Sequence, residues 1–446
     1  MLRTYPRPAD PPVTAPNRSR PASRPWAVVV HDTATTLRPA DPVAAALTTS
    51  AMAASFSNGV FYTVSALFFT RVVGLGVGQV GLGLTVAGAV AIAASFVAGH
   101  TADRIGAPAV LVTTTASQGL ALLAYPTTAT LTTFTLVACL AVASKAAQGT
   151  ARAAVLAHAF TGADRVLVRA RLGVVINVFT GVGTVCGGLA LLADTKVGYI
   201  LAILGSGSFV LISIWPLLAI RGQLAARARH DEACAAMPAS HSGPSPLHDR
   251  CYLAVSGLNA LLAMHAGLLT VGVPLWITEH TSAPTITVTL VLLLNTALVV
   301  VIQTPVARRI HGIRRSARAV HMAGLTLALA CLVYSASAVT SSTVAVVMLL
   351  SAAVLHTLGE VTAEIGSWGL AFDFAPTSSA GAYQGVNHAS VAAGAMLAPL
   401  VITTTALTHG AIGWLVLAAI FISAGTATLL AVRGRQLPQG GTTGVR

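Results

Sequence analysis

Gly99–Gly106 reads GHTADRIG and sets an Asp beside an Arg between two long apolar runs, in a 446-residue chain with only 9% charged residues. An ordinary soluble domain carries about 25%. The apolar share is 55%, and charge-poor stretches of about 20 residues, the length a helix needs to cross the hydrocarbon core, recur on both sides of this loop. An isolated span satisfies its backbone only as a helix or within a closed barrel. Stretches such as VAGAVAIAASFVAG and ITVTLVLLLNTALVVVI are apolar on every side, whereas barrel strands alternate apolar and polar residues. The expected fold class is an all-α membrane protein.

Twelve spans fit, at about 49–70, 79–98, 107–125, 131–158, 172–193, 198–220, 251–278, 285–305, 319–338, 343–367, 385–407 and 411–432. With both termini cytoplasmic, 22 of the 26 Lys and Arg residues fall inside and only Arg71 and Lys196 outside. That asymmetry is what the positive-inside rule requires, and one span more or fewer would scramble it. The net charge of +13 is thereby a matter of topology and not of nucleic-acid binding. The five cysteines and thirteen histidines show no ligand or disulfide spacing, so neither a disulfide framework nor a metal site is expected.

The expected organisation is a disordered Pro- and Arg-rich cytoplasmic tail (1–48), a six-helix bundle (49–220), a cytoplasmic loop (221–250), a second six-helix bundle (251–432) and a cytoplasmic tail (433–446). WAVVV is too short and too late for a secretory signal. The halves rhyme: the loop after the second span of each carries basic residues, GHTADRIG first and PVARRIHG (Pro305–Gly312) second. Internal duplication of this kind is a common way to build transporters.

GHTADRIG resembles the signature loop of the major facilitator superfamily. Two further stretches agree: KAAQG (Lys145–Gly149) resembles the family's Arg-x-x-Gln-Gly motif, and GTVCGG (Gly183–Gly188) resembles its Gly-Pro-x-x-Gly-Gly antiporter motif. LGEVTAEIGSWGLAFDFAPTSSAGAYQG is similar to the junction of spans ten and eleven in the drug-efflux branch. The chain departs from these patterns at Ala107 and Pro108, at Lys145 and at Thr184. The resemblance implies twelve helices in two six-helix halves, and a conformational latch at Gly99, Asp103, Arg104 and Gly106. Asp103 would meet the N-terminus of a facing helix and Arg104 a carbonyl or carboxylate. The alternative for the pair is a solvated topology anchor. Gly183, Gly187 and Gly188, with Gly181, are read as helix-packing glycines.

Strong polar residues are few in the spans. Asn58, Lys145, Gln148, Asn259, His265 and His356 are candidates for a cavity that binds substrate, since ionisable groups at bilayer depth normally face a path. His356, Glu360 and Glu364 are spaced four apart and share a helix face. Glu360, with His356 and His265, is the candidate for proton coupling, the alternative being a packing or gate hydrogen bond, and Glu364 is read as structural. In the implied fold, the lipid-facing spans three, six, nine and twelve add only Gln118.

The expected function is a secondary active transporter in the plasma membrane of a bacterium, exporting small amphipathic organic compounds in exchange for protons. It would act as a monomer, without cofactors. The alternatives are an uptake symporter or facilitator, and a non-transporting receptor or scaffold, for which a larger soluble domain would be expected. Neither a catalytic motif nor a Walker sequence for ATP is present, so an enzyme is not expected.

Overall fold

A computed structural model describes residues 39–193, 195–220, 222 and 245–434. Helices account for the regular structure of these residues, with no strand among them. The first half comprises α1 (Pro42–Leu67), α2 (Val77–Ile105), α3 (Ala107–Ala124), α4 (Leu131–Ala159), α5 (Gly162–Ala193) and α6 (Lys196–Ala219). The second comprises α7 (Arg250–His280), α8 (Ile286–Ala307), α9 (Ile313–Ala336), α10 (Ser342–Phe374), α11 (Ala380–Ile402) and α12 (Ala411–Gly434). Eleven are long and apolar enough to cross a membrane by length and composition alone. The remaining one, α1, is as long, but Asn58 and a series of Ser and Thr residues dilute its apolar character.

Several boundaries differ from the sequence expectation because caps decide them. α1 begins at Pro42, inside the stretch expected to be a disordered tail. Asp41 Oδ1 accepts the N–H groups of Val43 at 2.8 Å and Ala44 at 3.0 Å, and Pro42 needs no partner at the first helical position. α5 starts at Gly162, ten residues before the expected 172, which carries Arg165, Arg169 and Arg171 from an expected loop into a helix. The expected tail before 39, the central loop through 244 except residue 222, and the tail after 434 lie outside the described residues.

The rhyme between the halves becomes a repeated packing scheme. In the first half the close pairs are α1 with α5 and α6, α2 with α4, and α3 with α4 and α6. In the second they are α7 with α11 and α12, α8 with α10, and α9 with α10 and α12, each shifted by six helices. Lipid offers no hydrophobic drive for helix association, so close backbone approach must supply the contact. A Cβ on Gly183 would strike the carbonyl oxygen of Phe56 across α1 and α5, and one on Gly394 would strike that of Ala260 across α7 and α11. The signature loop and its counterpart also match: Gly106 and Gly312 both hold positive φ, +93° and +82°, and turn the chain directly into the next helix.

α7 contains a π-helical turn at Leu268–Gly272, and α1 and α11 each run on into one, at Phe68–Val72 and Thr403–Leu407. In α7 the regular ladder is already broken at Met264, just before His265.

Buried apolar residues form three clusters. One, around Phe69, Tyr125, Phe134 and Ile203, lies wholly in the first half. Another, around Trp276, Tyr334, Trp414 and Phe421, draws its buried members from the second half. The third draws buried members from both halves, joining Leu47, Ala102, Leu156 and Leu172 to Val299, Ile365, Phe372 and Ala380. It lies at the end of the molecule that carries the signature loop, here termed the loop end, and the halves are closed on each other there.

Candidate functional site

Asp103 anchors the closure. It stands in the last turn of α2, and its Oδ1 and Oδ2 accept the backbone N–H groups of Gly381 at 2.6 Å and Ala382 at 2.7 Å, in the first turn of α11. Those donors are the ones a helix start leaves free, and the helix dipole favours an anion there. Gly99 lies against Gly381 and Gly385, with no room for a side chain at any of the three. Arg104 is exposed and makes no hydrogen bond or ion pair with the described residues, so its expected partner is not formed in this state.

Above this seal, α1, α4 and α5 enclose a cavity of about 200 Å³. Asn58, Lys145 and Gln148, three of the residues expected at a cavity, line it. Lys145 sets its Nζ 4.4 Å from the centre of the Tyr62 ring, a cation–π contact. Asn58 Oδ1 accepts from Gln118 Nε2 of α3 at 3.2 Å. Gln148 donates to Thr115 at 2.7 Å and accepts from Arg152 at 3.2 Å.

Arg152 and Arg169 were not among the expected site residues, and both line this cavity. Arg152 has a signal in the sequence, since Lys145, Gln148 and Arg152 are spaced three and four apart and share one face of α4. Arg169 had none, because its place depended on where α5 begins. Its guanidinium lies 4.5 Å from the Trp368 ring of α10, across the boundary between the halves.

Across the boundary between the halves, α8 and α10 pack against α5. Glu360 Oε2 accepts from Asn295 of α8 at 2.7 Å, and Glu364 Oε2 from Gln303 of α8 at 3.2 Å. Both carboxylates are half-buried and feel each other's charge, and Glu364 also feels that of Arg169. Glu364, read from the sequence as structural, therefore stands with the charged groups at the boundary. Gln303 in turn abuts Gly173 of α5. Asn295 and Gln303 were missed because only the tertiary structure pairs α8 with α10. His265 and His356 meet edge to face with ring centres 5.7 Å apart. His356 is fully buried.

Two expectations need correction. Asn259 does not face a substrate cavity: it donates to Asn387 at 3.1 Å, accepts from Ser367 at 2.6 Å, and borders a void of only about 10 Å³, room for one water at most. Gly188 does not pack against a helix, because a Cβ there would meet no atom within 4 Å; the same is true of Gly181. Gly183 and Gly187 do pack, against α1.

The sequence model of the Major Facilitator Superfamily matches residues 47–399, well over half of the chain. The chain belongs to the major facilitator superfamily. It is thus a multi-pass membrane protein and a secondary transporter of a small-molecule substrate. No curated protein matches its sequence. Among solved structures, the human organic anion transporter MFSD10 (TETRAN) is 15% identical with a TM-score of 0.57, covering 87% of this chain and 99% of that one. The proton:xylose symporter XylE, solved with 6-bromo-6-deoxy-D-glucose, is 12% identical with a TM-score of 0.62, covering 88% and 95%. At these identities the likeness concerns the fold, and the same helical arrangement serves transporters of dissimilar cargo.

Proposed function

We propose that this major facilitator superfamily protein exports small amphipathic organic compounds in exchange for protons, with both termini cytoplasmic, so that closure at the loop end makes this the outward-facing state. The observation that carries the reading is the placement of Glu360 and Glu364. Each lies half-buried on α10 and is held by a neutral amide of α8, with no cation among the described residues within ion-pair distance; Glu364 also faces Arg169 across the boundary between halves. A carboxyl so placed can take up a proton when the cavity faces one side and release it on the other. The remaining cavity wall, with Ala54, Ala153, Ile176, Thr180 and the ring of Tyr62, suits an amphipathic cargo.

The basic wall formed by Lys145, Arg152 and Arg169 favours a second reading, the uptake symporter. Linkage is reciprocal: a cation that binds beside Glu360 and a proton exclude each other, which drives exchange, whereas an anion held by Arg152 and Arg169 is favoured when the carboxyls are protonated, which drives cotransport. MFSD10, by its name, carries organic anions. Purified protein in liposomes, given a pH gradient of either sign and matched cationic, neutral and anionic amphiphiles, separates the two. Accumulation of cationic or neutral cargo opposite to proton flow supports export by exchange, and accumulation of anions along proton flow replaces it with symport. Movement of cargo that ignores the gradient would remove proton coupling altogether.

A further inference from the structure

We propose that His265, His356 and Glu360 form a binding site for a divalent transition-metal ion such as Zn²⁺ or Co²⁺ in the second half of the transporter. The ligand-capable atoms of the three residues all lie within 4.8 Å of one another. The imidazole centres stand 5.7 Å apart at an interplanar angle of 73°. Two imidazoles on one tetrahedral ion, with metal–nitrogen bonds of about 2 Å, place their ring centres about 5 Å apart, so the pair needs little movement to share an ion. Two nitrogens and one carboxylate oxygen form a donor set suited to zinc and its neighbours, and poor in the oxygens that magnesium or calcium requires.

An independent observation comes from unsatisfied polar atoms. His265 is 6% exposed with no hydrogen-bond partner for Nδ1, and His356 is fully buried with none for either ring nitrogen. Buried polar groups in folded proteins are nearly always paired, so orphaned nitrogens converging on one carboxylate point to a ligand between them. The backbone agrees. His265 follows the break in α7 at Met264 and precedes the π-helical turn, and such irregular turns concentrate at functional sites. His356 and Glu360 sit one turn apart on α10, with Tyr334 of α9 packed 6.3 Å from His356. Glu360 is the one member of the set that is not fully buried, and three protein ligands leave a coordination position for water or a cargo donor. The sequence could not show this set, because His265 comes from a helix far away along the chain.

The test is a Co²⁺ titration of the purified full-length chain in detergent, read by the visible absorption of four- or five-coordinate cobalt and by its displacement with Zn²⁺. One ion per chain is expected to give the band. His265→Asn, His356→Asn and Glu360→Gln should each weaken binding by about tenfold or more, since loss of even an outer-shell partner of a metal site costs that much, while His100→Asn and His409→Asn leave it unchanged. Absence of the band, or a band that survives Glu360→Gln and His265→Asn with unchanged affinity, overturns the proposal. Those two variants decide the matter if His356→Asn proves unstable. Binding is read without cargo or gradient, so a failed titration leaves the transport reading standing, and a failed transport assay leaves the metal site standing.

Discussion

Asp103 reaches across the two halves to Gly381, whose N–H donates to Oδ1 at 2.6 Å while that of Ala382 donates to Oδ2 at 2.7 Å. The contact exists only when the loop end is closed, so it biases an equilibrium between conformers and does not hold either half together. Hydrogen bonds to a charged group contribute about 1.5–3 kcal/mol each. Asp103→Asn keeps one acceptor and loses the charge, and should lower the closed population about tenfold with thermal stability unchanged. Spectroscopic distances between labels on α2 and α11 at the loop end read that population, and transport should slow in parallel. Unaltered distances and rates would reduce Asp103 to a topology anchor.

Glu360→Gln should abolish accumulation against a gradient while preserving cargo binding. The side chain keeps an oxygen for Asn295 Nδ2, 2.7 Å away in the native protein, but no longer changes charge as the cavity alternates. Because the exchange of a proton is removed, the loss should hold at every pH tested. Concentrative transport at the native level would move the coupling step to Glu364, Asp103, His265 or His356.

Arg152→Gln and Arg169→Gln distinguish the two readings of cargo charge. If an anionic group docks on the basic wall, either change should weaken anion binding about tenfold, the scale of one charged hydrogen bond, with neutral analogues unaffected. Equal effects on anions and neutrals in equilibrium binding would make the wall structural.

Gly183→Val and Gly188→Val should behave oppositely although they lie five residues apart. At Gly183 the added carbons run into the backbone of Phe56, and at Gly188 they enter open space. Overpacking costs about 1–3 kcal/mol, so Gly183→Val should lower the melting temperature of the purified protein clearly while Gly188→Val leaves it within a degree or so of native. Similar melting curves for both would refute the packing role of Gly183.

The fold was legible because lipid imposes one rule on every span. Backbone groups must be satisfied within the segment, so hydropathy announces eleven of the helices, and the equally long but more polar α1 completes the set. Chain reversals were legible too, where Gly106 and Gly312 mark equivalent turns in the two halves. The cavity was half legible: Asn58, Lys145 and Gln148 reach it, and the spacing from Lys145 to Arg152 would have added a fourth residue. Asn259 was misplaced because a polar side chain in a span satisfies itself equally well against Ser367 and Asn387 as against a cargo, and composition cannot tell these apart.

The sequence by itself determined the membrane class, the count of helices and their division into related halves. Only the tertiary structure decided which side chains meet: Glu360 with Asn295, Glu364 with Gln303, Arg169 with Trp368, and His265 with His356. The physical reason is the range of each constraint. The cost of exposing a backbone group to hydrocarbon is local and is written into every 20-residue window. The contacts of a polar side chain depend instead on the crossing of helices remote in sequence, set by glycines such as Gly183 and Gly394 that let two backbones touch.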